Sequence, residues 1–167
     1  KGQVACDSRI SAIRLKGYLD KIGLVTSALV MSSPDSREGN TSADESHKSE
    51  IQAWWDENVG KEDAGVYKQR IIDQFANDDD LHLLIVIDQL LTGFDEPKNA
   101  VLYIDKNLKQ HNLIQAIARV NRLHKDKKFG LLIDYRGILG ELDTTIAQYQ
   151  DLASRTQGGY SIDDIEG

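Results

Sequence analysis

A glutamine and two arginines recur at helical spacing in the stretch QAIARVNR. Gln115, Arg119 and Arg122 lie at i, i+4 and i+7, which places them on one face of a helix. Leu113 and Val120 fall on the opposite, apolar face. Two guanidinium groups one turn apart could hold a triphosphate and stabilise charge that develops at its terminal phosphate. The alternative is a solvated helix face that forms surface ion pairs, and this pattern in isolation favours that alternative.

A second pattern, LLTGFDEP, directly follows a strongly apolar run. Gly93 would let the backbone approach a ligand closely, and Asp95 could accept a hydrogen bond from a ribose hydroxyl. Pro97 would stop a helix from forming. The alternative is an ordinary turn in which aspartate and glycine take their usual roles.

A third pattern, CDSR, joins the end of a predicted strand to the start of a predicted helix. Ser8, Arg9 and the unpaired N–H groups of a helix start together favour a phosphate. The alternative is a helix cap followed by a surface arginine.

The four histidines show no ligand spacing, so no metal site is predicted. No GxxxxGK[ST] pattern occurs, so the chain lacks the phosphate cradle of a complete nucleotide-driven motor.

Composition limits the class of protein. The 167 residues carry a formal charge of −7, which argues weakly against nucleic-acid binding, but residues 106–128 hold seven Lys or Arg against one acid, Asp126. The one cysteine excludes an internal disulfide and fits the reducing conditions of a cytoplasmic protein. No apolar run is long enough to span a membrane. The sequence begins at Lys1 and enters a strand almost at once, which predicts a piece of a longer protein.

Strands alternate with helices along the chain, which predicts an α/β domain with a mostly parallel sheet and right-handed crossovers. Residues 32–46 are polar and are predicted to form a loop. Ligands gather at the carboxyl ends of parallel strands, so the loops that follow strands are the candidates for function. The predicted strands cover 3–6, 24–31, 83–87, 101–104 and 129–133. The first predicted helix follows a cap at Asp7 or Ser8 and has Ala12, Leu15, Leu19 and Ile22 at helical spacing, and the other predicted helices cover 47–58, 66–75, 111–123 and 138–152.

In chain order, the patterns CDSR, LLTGFDEP and QAIARVNR resemble motifs IV, V and VI of the second RecA-like lobe of superfamily 2 helicases and translocases. The chain more narrowly resembles the motor (R, restriction) subunit of type I restriction enzymes. The resemblance is close over residues 67–149, through LIVIDQLLTGFDEP, HNLIQAIARVNR and GLLIDYRG. Ala118 stands where motif VI usually has glycine, and Ile87 stands where many relatives have threonine.

This resemblance implies a RecA-like three-layer fold and an ATP site shared with a preceding lobe. That first lobe would bind most of the ATP and Mg²⁺. Gly93, Asp95 and Gln115 would contact ATP, as would Arg119 and Arg122, which would be the catalytic arginines. Ser8, Arg9 and Thr92 would contact the backbone of double-stranded DNA. The implied partners are the first lobe and nuclease domain of the same chain and the methylation and specificity subunits of a restriction-modification complex, with no membrane.

The predicted organisation is a lobe over 1–136 with an insertion or loop region at 33–62, a helix at 137–153 that starts a helical extension or serves a partner subunit, and a tail at 154–167 with few core-forming residues. Two alternatives remain open. The chain could be a lobe of another superfamily 2 repair or remodelling motor, or a non-catalytic scaffold lobe. Because half of the ATP site would lie elsewhere, this chain alone is predicted to be inactive.

Overall fold

Five parallel strands form one sheet in the order β2-β3-β1-β4-β5 in the computed structural model. The strands are β1 (Gly2–Cys6), β2 (Ser27–Val30), β3 (Leu83–Val86), β4 (Val101–Asp105) and β5 (Leu131–Asp134). The residues that the structure describes are 1–36, 41–90, 94, 96–122, 124, 127 and 129–140. Every strand pairing among them is parallel, which confirms the predicted α/β class.

The first strand of the chain lies at the centre of the sheet. Val4 of β1 pairs with Ile85 of β3 on one side and with Tyr103 of β4 on the other. All five residues of β1 are buried. Strands that are buried on both faces are typically apolar throughout. In β3, the consecutive residues Leu84, Ile85 and Val86 show this pattern.

Helices cover both faces of the sheet. They are α1 (Arg9–Ile22), α2 (Ser42–Glu45), α3 (Lys48–Asn58), α4 (Ala64–Asn77) and α5 (Gln110–Val120). On one face, α1 and α3 bury Ile10, Ile51 and Trp55 in one core with Val4 and Ile85. The crossover from β4 to β5 advances across the sheet in the opposite sense to that from β1 to β2. A right-handed connection therefore places α5 on the other face, which completes a three-layer arrangement.

The polar segment that was predicted to be a loop contains a helix. Thr41 and Asp44 form a reciprocal capping box around α2. Asp44 is 1% exposed, and its Oδ1 accepts a hydrogen bond from the backbone N–H of Ile10 at 3.0 Å. Ile10 lies in the first turn of α1, where N–H groups have no partner within the helix. The segment thus supports the start of α1. The prediction of a loop over 32–46 was wrong for residues 42–45, which form α2. Residues 37–40 lie outside the described part of the chain.

Replacing Asp44 with alanine is expected to lower the free energy of unfolding by about 1–3 kcal/mol, because the Ile10 N–H would remain buried without an acceptor. Urea denaturation followed by circular dichroism measures this change. Asp35→Ala is the matched control, since Asp35 is exposed. Equal midpoints for Asp44→Ala and the unmodified chain would show that Asp44 does not support α1.

The described chain divides near Arg136. Lys1–Arg136 form one compact unit, and a second unit begins at Gly137. Residues 138–140 are helical, and the remainder of the predicted helix 138–152 and the tail lie outside the described residues. Within the described ranges, no helix combines the length and apolar character that a membrane crossing requires.

Candidate functional site

The α5 helix carries the predicted Gln/Arg face. Gln115 is exposed and Arg119 is half-buried in the last turn. The opposite face is buried as predicted, with Leu113, Ala116 and Val120 at most 2% exposed. The helix ends at Val120, earlier than the predicted end at 123, so the exposed Arg122 lies two residues beyond it.

The carboxyl end of α5 lies at the amino edge of the sheet. The ammonium of Lys127 donates to the carbonyl oxygens of Val120 at 3.0 Å, Pro97 at 2.8 Å and Asn99 at 2.9 Å. Pro97 and Asn99 directly precede β4, so the end of α5 is beside the start of that strand. Since Arg119 adjoins Val120, the arginines belong to the amino edge.

This position differs from that of the loops that follow strands, which were the predicted candidates for function. The α5 helix runs back between two parallel strands, β4 and β5. Eleven residues of helix rise about 16 Å, which is about the length of a five-residue strand. A residue in the last turn of such a crossover helix is therefore returned to the opposite edge.

The segment with the second pattern is described at its two ends. Gly93 and Asp95, the predicted ATP contacts, and Thr92, a predicted DNA contact, lie outside the described residues. At one end, Leu90 is buried with a positive φ of 65°, and its carbonyl accepts from Gln3 Nε2 at 3.1 Å. At the other, Asn99 Nδ2 donates to Gln3 Oε1 at 3.1 Å. One buried glutamine of β1 thus joins both ends.

Gln3, Asn99 and Lys127 were not among the residues that the sequence singled out. The signal for Gln3 was a polar side chain inside an otherwise apolar strand. The signal for Lys127 was absent, because it lies within a run of lysines that reads as a solvated surface. Only the fold shows that this one lysine contacts three carbonyl groups.

The carboxyl edge holds a different cluster, built around Arg136. Its Nε donates to Asp105 Oδ1 at 2.7 Å and its Nη2 donates to Asp7 Oδ2 at 3.0 Å, which joins the ends of β5, β4 and β1. Burial acts to raise the pKa of Asp7, but hydrogen bonds from Ser11 and Ser8 and the charge of Arg136 outweigh it and hold the pKa below its usual range.

Ser8 and Arg9, the predicted DNA contacts, both have partners within the domain. Ser8 is the N-cap of α1 and accepts from the N–H of Ser11 at 3.2 Å. The Nη2 of Arg9 donates to Ser32 Oγ at 2.8 Å and to the carbonyl of Ser36 at 2.9 Å. Each is 2% exposed, so Arg9 is not the surface arginine of the alternative interpretation. Their contact with DNA stays a prediction.

Cys6, at the same edge, is expected to be unreactive in the folded chain. Burial, with the negative charges of Asp105 and Asp7, raises the pKa of its thiol to about 12. Because the thiolate is the nucleophile, labelling by an aromatic disulfide reagent at pH 8 is expected to be about 10³-fold slower than for a free thiol. Labelling in buffer and in 8 M urea tests this on the single cysteine of the chain. Rapid stoichiometric labelling in buffer would contradict it.

These features define an open, parallel α/β domain that presents two arginines at its amino edge and a carboxylate–arginine cluster at its carboxyl edge. The chain belongs to the family described as type I restriction enzyme subunit R domain 3, whose model matches residues 21–137.

Named relatives agree with this family. A putative type I restriction enzyme MjaVIIP endonuclease subunit from Methanocaldococcus jannaschii is 49% identical over 85 residues, which are 51% of this chain and 8% of that protein. The type I restriction enzyme HindI endonuclease subunit from Haemophilus influenzae is 43% identical over 94 residues, 54% of this chain and 9% of that protein. The matched part of this chain therefore spans less than a tenth of the length of these relatives.

Among solved structures, the C-terminal part of the Fun30 ATPase domain aligns with 81% of this chain and 44% of that chain, at 16% identity and a TM-score of 0.38. A likeness this distant carries no argument about function.

Proposed function

We propose that this chain is the second motor lobe of an ATP-dependent translocase of double-stranded DNA, within the R subunit of a type I restriction enzyme. The observation that carries the proposal is the end of α5, where Arg119 and Arg122 lie at one edge of the domain beside residues 97–99. Family membership supports the wider setting. ATP, bound with Mg²⁺ mainly by a first lobe, would supply the free energy of phosphoanhydride hydrolysis.

The side chains at this edge suit a polyphosphate. Arg119 and Arg122 offer guanidinium donors in a fork geometry that matches phosphate oxygens, and we assign them the catalytic role of stabilising charge on the terminal phosphate. Gln115 is exposed on the same side of α5 and would contact the nucleotide. Gly93 and Asp95 would complete the contacts of this lobe with the nucleotide.

In this proposal, the arginines of α5 and the DNA contacts at the start of α1 lie at opposite edges of the domain. Ser8 and Arg9 follow β1 at the carboxyl edge, whereas Arg119 is at the amino edge. Contacts with phosphates position a protein on DNA but carry no sequence information, so this lobe would bind without sequence preference, with Thr92 as a further contact. The first lobe and nuclease domain would belong to the same protein, and separate methylation and specificity subunits would complete the assembly.

The isolated 167-residue chain is expected to hydrolyse no ATP, because the residues that would cradle the phosphates are outside it. The full-length subunit is expected to hydrolyse ATP and to do so faster with linear duplex DNA. A coupled phosphate-release assay on both proteins, with and without DNA, measures this. Turnover by the pure isolated chain would overturn the two-lobe site, and a full-length subunit without DNA-stimulated turnover would leave a scaffold lobe as the better description.

A further inference from the structure

Lys127 makes an unusual set of contacts for a lysine in a basic run. Its ammonium donates to three main-chain carbonyls, those of Pro97, Asn99 and Val120, at 2.8, 2.9 and 3.0 Å. Three acceptors use all three N–H donors of the protonated group. Burial lowers the pKa of Lys127, and the negative charge of Glu96 opposes that shift. The three hydrogen bonds are charge-assisted, which makes them stronger than bonds between neutral groups.

The three carbonyls come from two segments that are distant in sequence. Val120 closes α5, where the last carbonyls have no partner within the helix and a positive charge is favourable. Pro97 and Asn99 belong to the turn before β4. Lys127 therefore joins the end of the arginine-bearing helix to that turn.

A buried polar chain extends the link across the sheet. Asn99, 2% exposed, donates to Gln3 Oε1, and Gln3, 3% exposed, donates through Nε2 to the carbonyl of Leu90. Leu90 has a left-handed backbone, which costs a branched apolar residue about 1–2 kcal/mol and persists only where its surroundings enforce it. Hydrogen bonds therefore fix both ends of the segment 90–99 to the same framework that holds α5.

We propose that Lys127 is a positioning residue for the motor reaction. It sets Arg119 and Arg122 relative to residues 97–99, so that the helix end and the turn move as one body when the lobe closes on nucleotide. Arg119 adjoins one of the three bonded carbonyls, and Arg122 lies only two residues beyond it, so any displacement of Val120 is transmitted directly. This inference rests on the function proposed above.

Lys127→Met in the full-length subunit tests the proposal, because methionine keeps the length of the side chain and removes all three donors. We expect the kcat of DNA-stimulated ATP hydrolysis to fall about 10- to 100-fold, since a misplacement of about 1 Å can cost 10²-fold in rate. The KM for ATP is expected to stay within about threefold, and Lys127→Arg is expected to recover part of kcat. Lys61→Met, at an exposed lysine, is the matched control and is expected to behave as the unmodified protein.

Rates are expressed per folded molecule, with the folded fraction taken from thermal unfolding, so that lost stability is not counted as lost catalysis. A wild-type kcat in Lys127→Met overturns the proposal. If that variant does not fold, Lys127→Gln, which keeps two donors, decides in the same way. Arg122→Ala, measured in parallel, separates the motor function from the positioning role of Lys127. If Arg122→Ala loses turnover and Lys127→Met does not, the motor function stands and only the positioning role is rejected. If both variants turn over normally, both hypotheses are rejected.

Discussion

Arg122→Ala in the full-length subunit is expected to lower DNA-stimulated ATP turnover about 10³-fold or more, and Arg119→Ala is expected to lower it comparably. An arginine that neutralises charge on a transferring phosphoryl group contributes about 10³- to 10⁵-fold to the rate. Binding of ATP is expected to remain largely intact, since the first lobe would supply most contacts. Steady-state turnover and equilibrium binding of a fluorescent ATP analogue measure the two effects separately.

Two further variants make this result specific to the site. Arg14→Ala removes an exposed arginine of α1 that pairs with Glu50 at 3.3 Å, far along the chain from α5, and is expected to have no effect on turnover. Arg122→Lys is expected to recover little, because a lysine is a point charge without the guanidinium fork. Unchanged turnover in both Arg119→Ala and Arg122→Ala would mean that this face of α5 is a solvated surface, and the scaffold alternative would then be preferred.

Gly130→Ala is expected to lower the free energy of unfolding by about 3 kcal/mol, at the upper end for a small-to-large change in a packed interior. A Cβ atom at Gly130 would lie 2.5 Å from the carbonyl oxygen of Val120 and 2.7 Å from its carbonyl carbon. Both are main-chain atoms, so the end of α5 or the start of β5 would have to move. The hydrogen bond from Gly130 N–H to Asn121 Oδ1 at 3.2 Å would be displaced with them. Urea denaturation of the purified chain measures the change.

Gly17→Ala is the matched control. Gly17 lies within α1, is exposed, and has open space where a Cβ would stand. Alanine there is expected to raise stability by about 0.5–1 kcal/mol, because glycine loses more backbone entropy in a helix. Opposite signs for the two substitutions are the expected result. A Gly130→Ala chain as stable as the unmodified one would show that α5 and β5 are less closely packed than the structure has them.

The central layer could be predicted from the sequence because burial on both faces leaves a clear pattern. The apolar run before Asp88 and the short run from Val101 both became strands within a residue of the predicted limits. The strand predicted over 24–31 was too long at its start, since Leu24 is 84% exposed. Leu24 follows Gly23, whose φ of 69° ends α1. The apolar side chain of Leu24 therefore belongs to the connection after the helix and not to β2.

The candidate site was predicted only in part, and the missing part is three-dimensional. Helical spacing placed Gln115 and Arg119 away from the buried face, and that is where they lie. Spacing along one helix says nothing about which edge of the sheet its end reaches, so the amino-edge position of Arg119 was not foreseen. Burial of Arg9 was equally hidden, because its partners Ser32 and Ser36 come from a polar segment more than twenty residues away. The sequence does not distinguish a lysine whose ammonium contacts water from one, such as Lys127, whose ammonium contacts main-chain carbonyls.

The central place of β1 has a consequence for how the chain is made. Synthesis delivers β1 before its two neighbours in the sheet, which begin at Leu83 and Val101. At about 5–20 residues per second, synthesis of the roughly 80 residues from the end of β1 to the end of β3 takes about 4–16 seconds. Throughout that interval the apolar residues Val4, Ala5 and Cys6 have no partner strand, and closing so long a loop is entropically slow as well. Assembly of this sheet is therefore a late event in synthesis, and the interval before it is when the nascent domain is most exposed to aggregation.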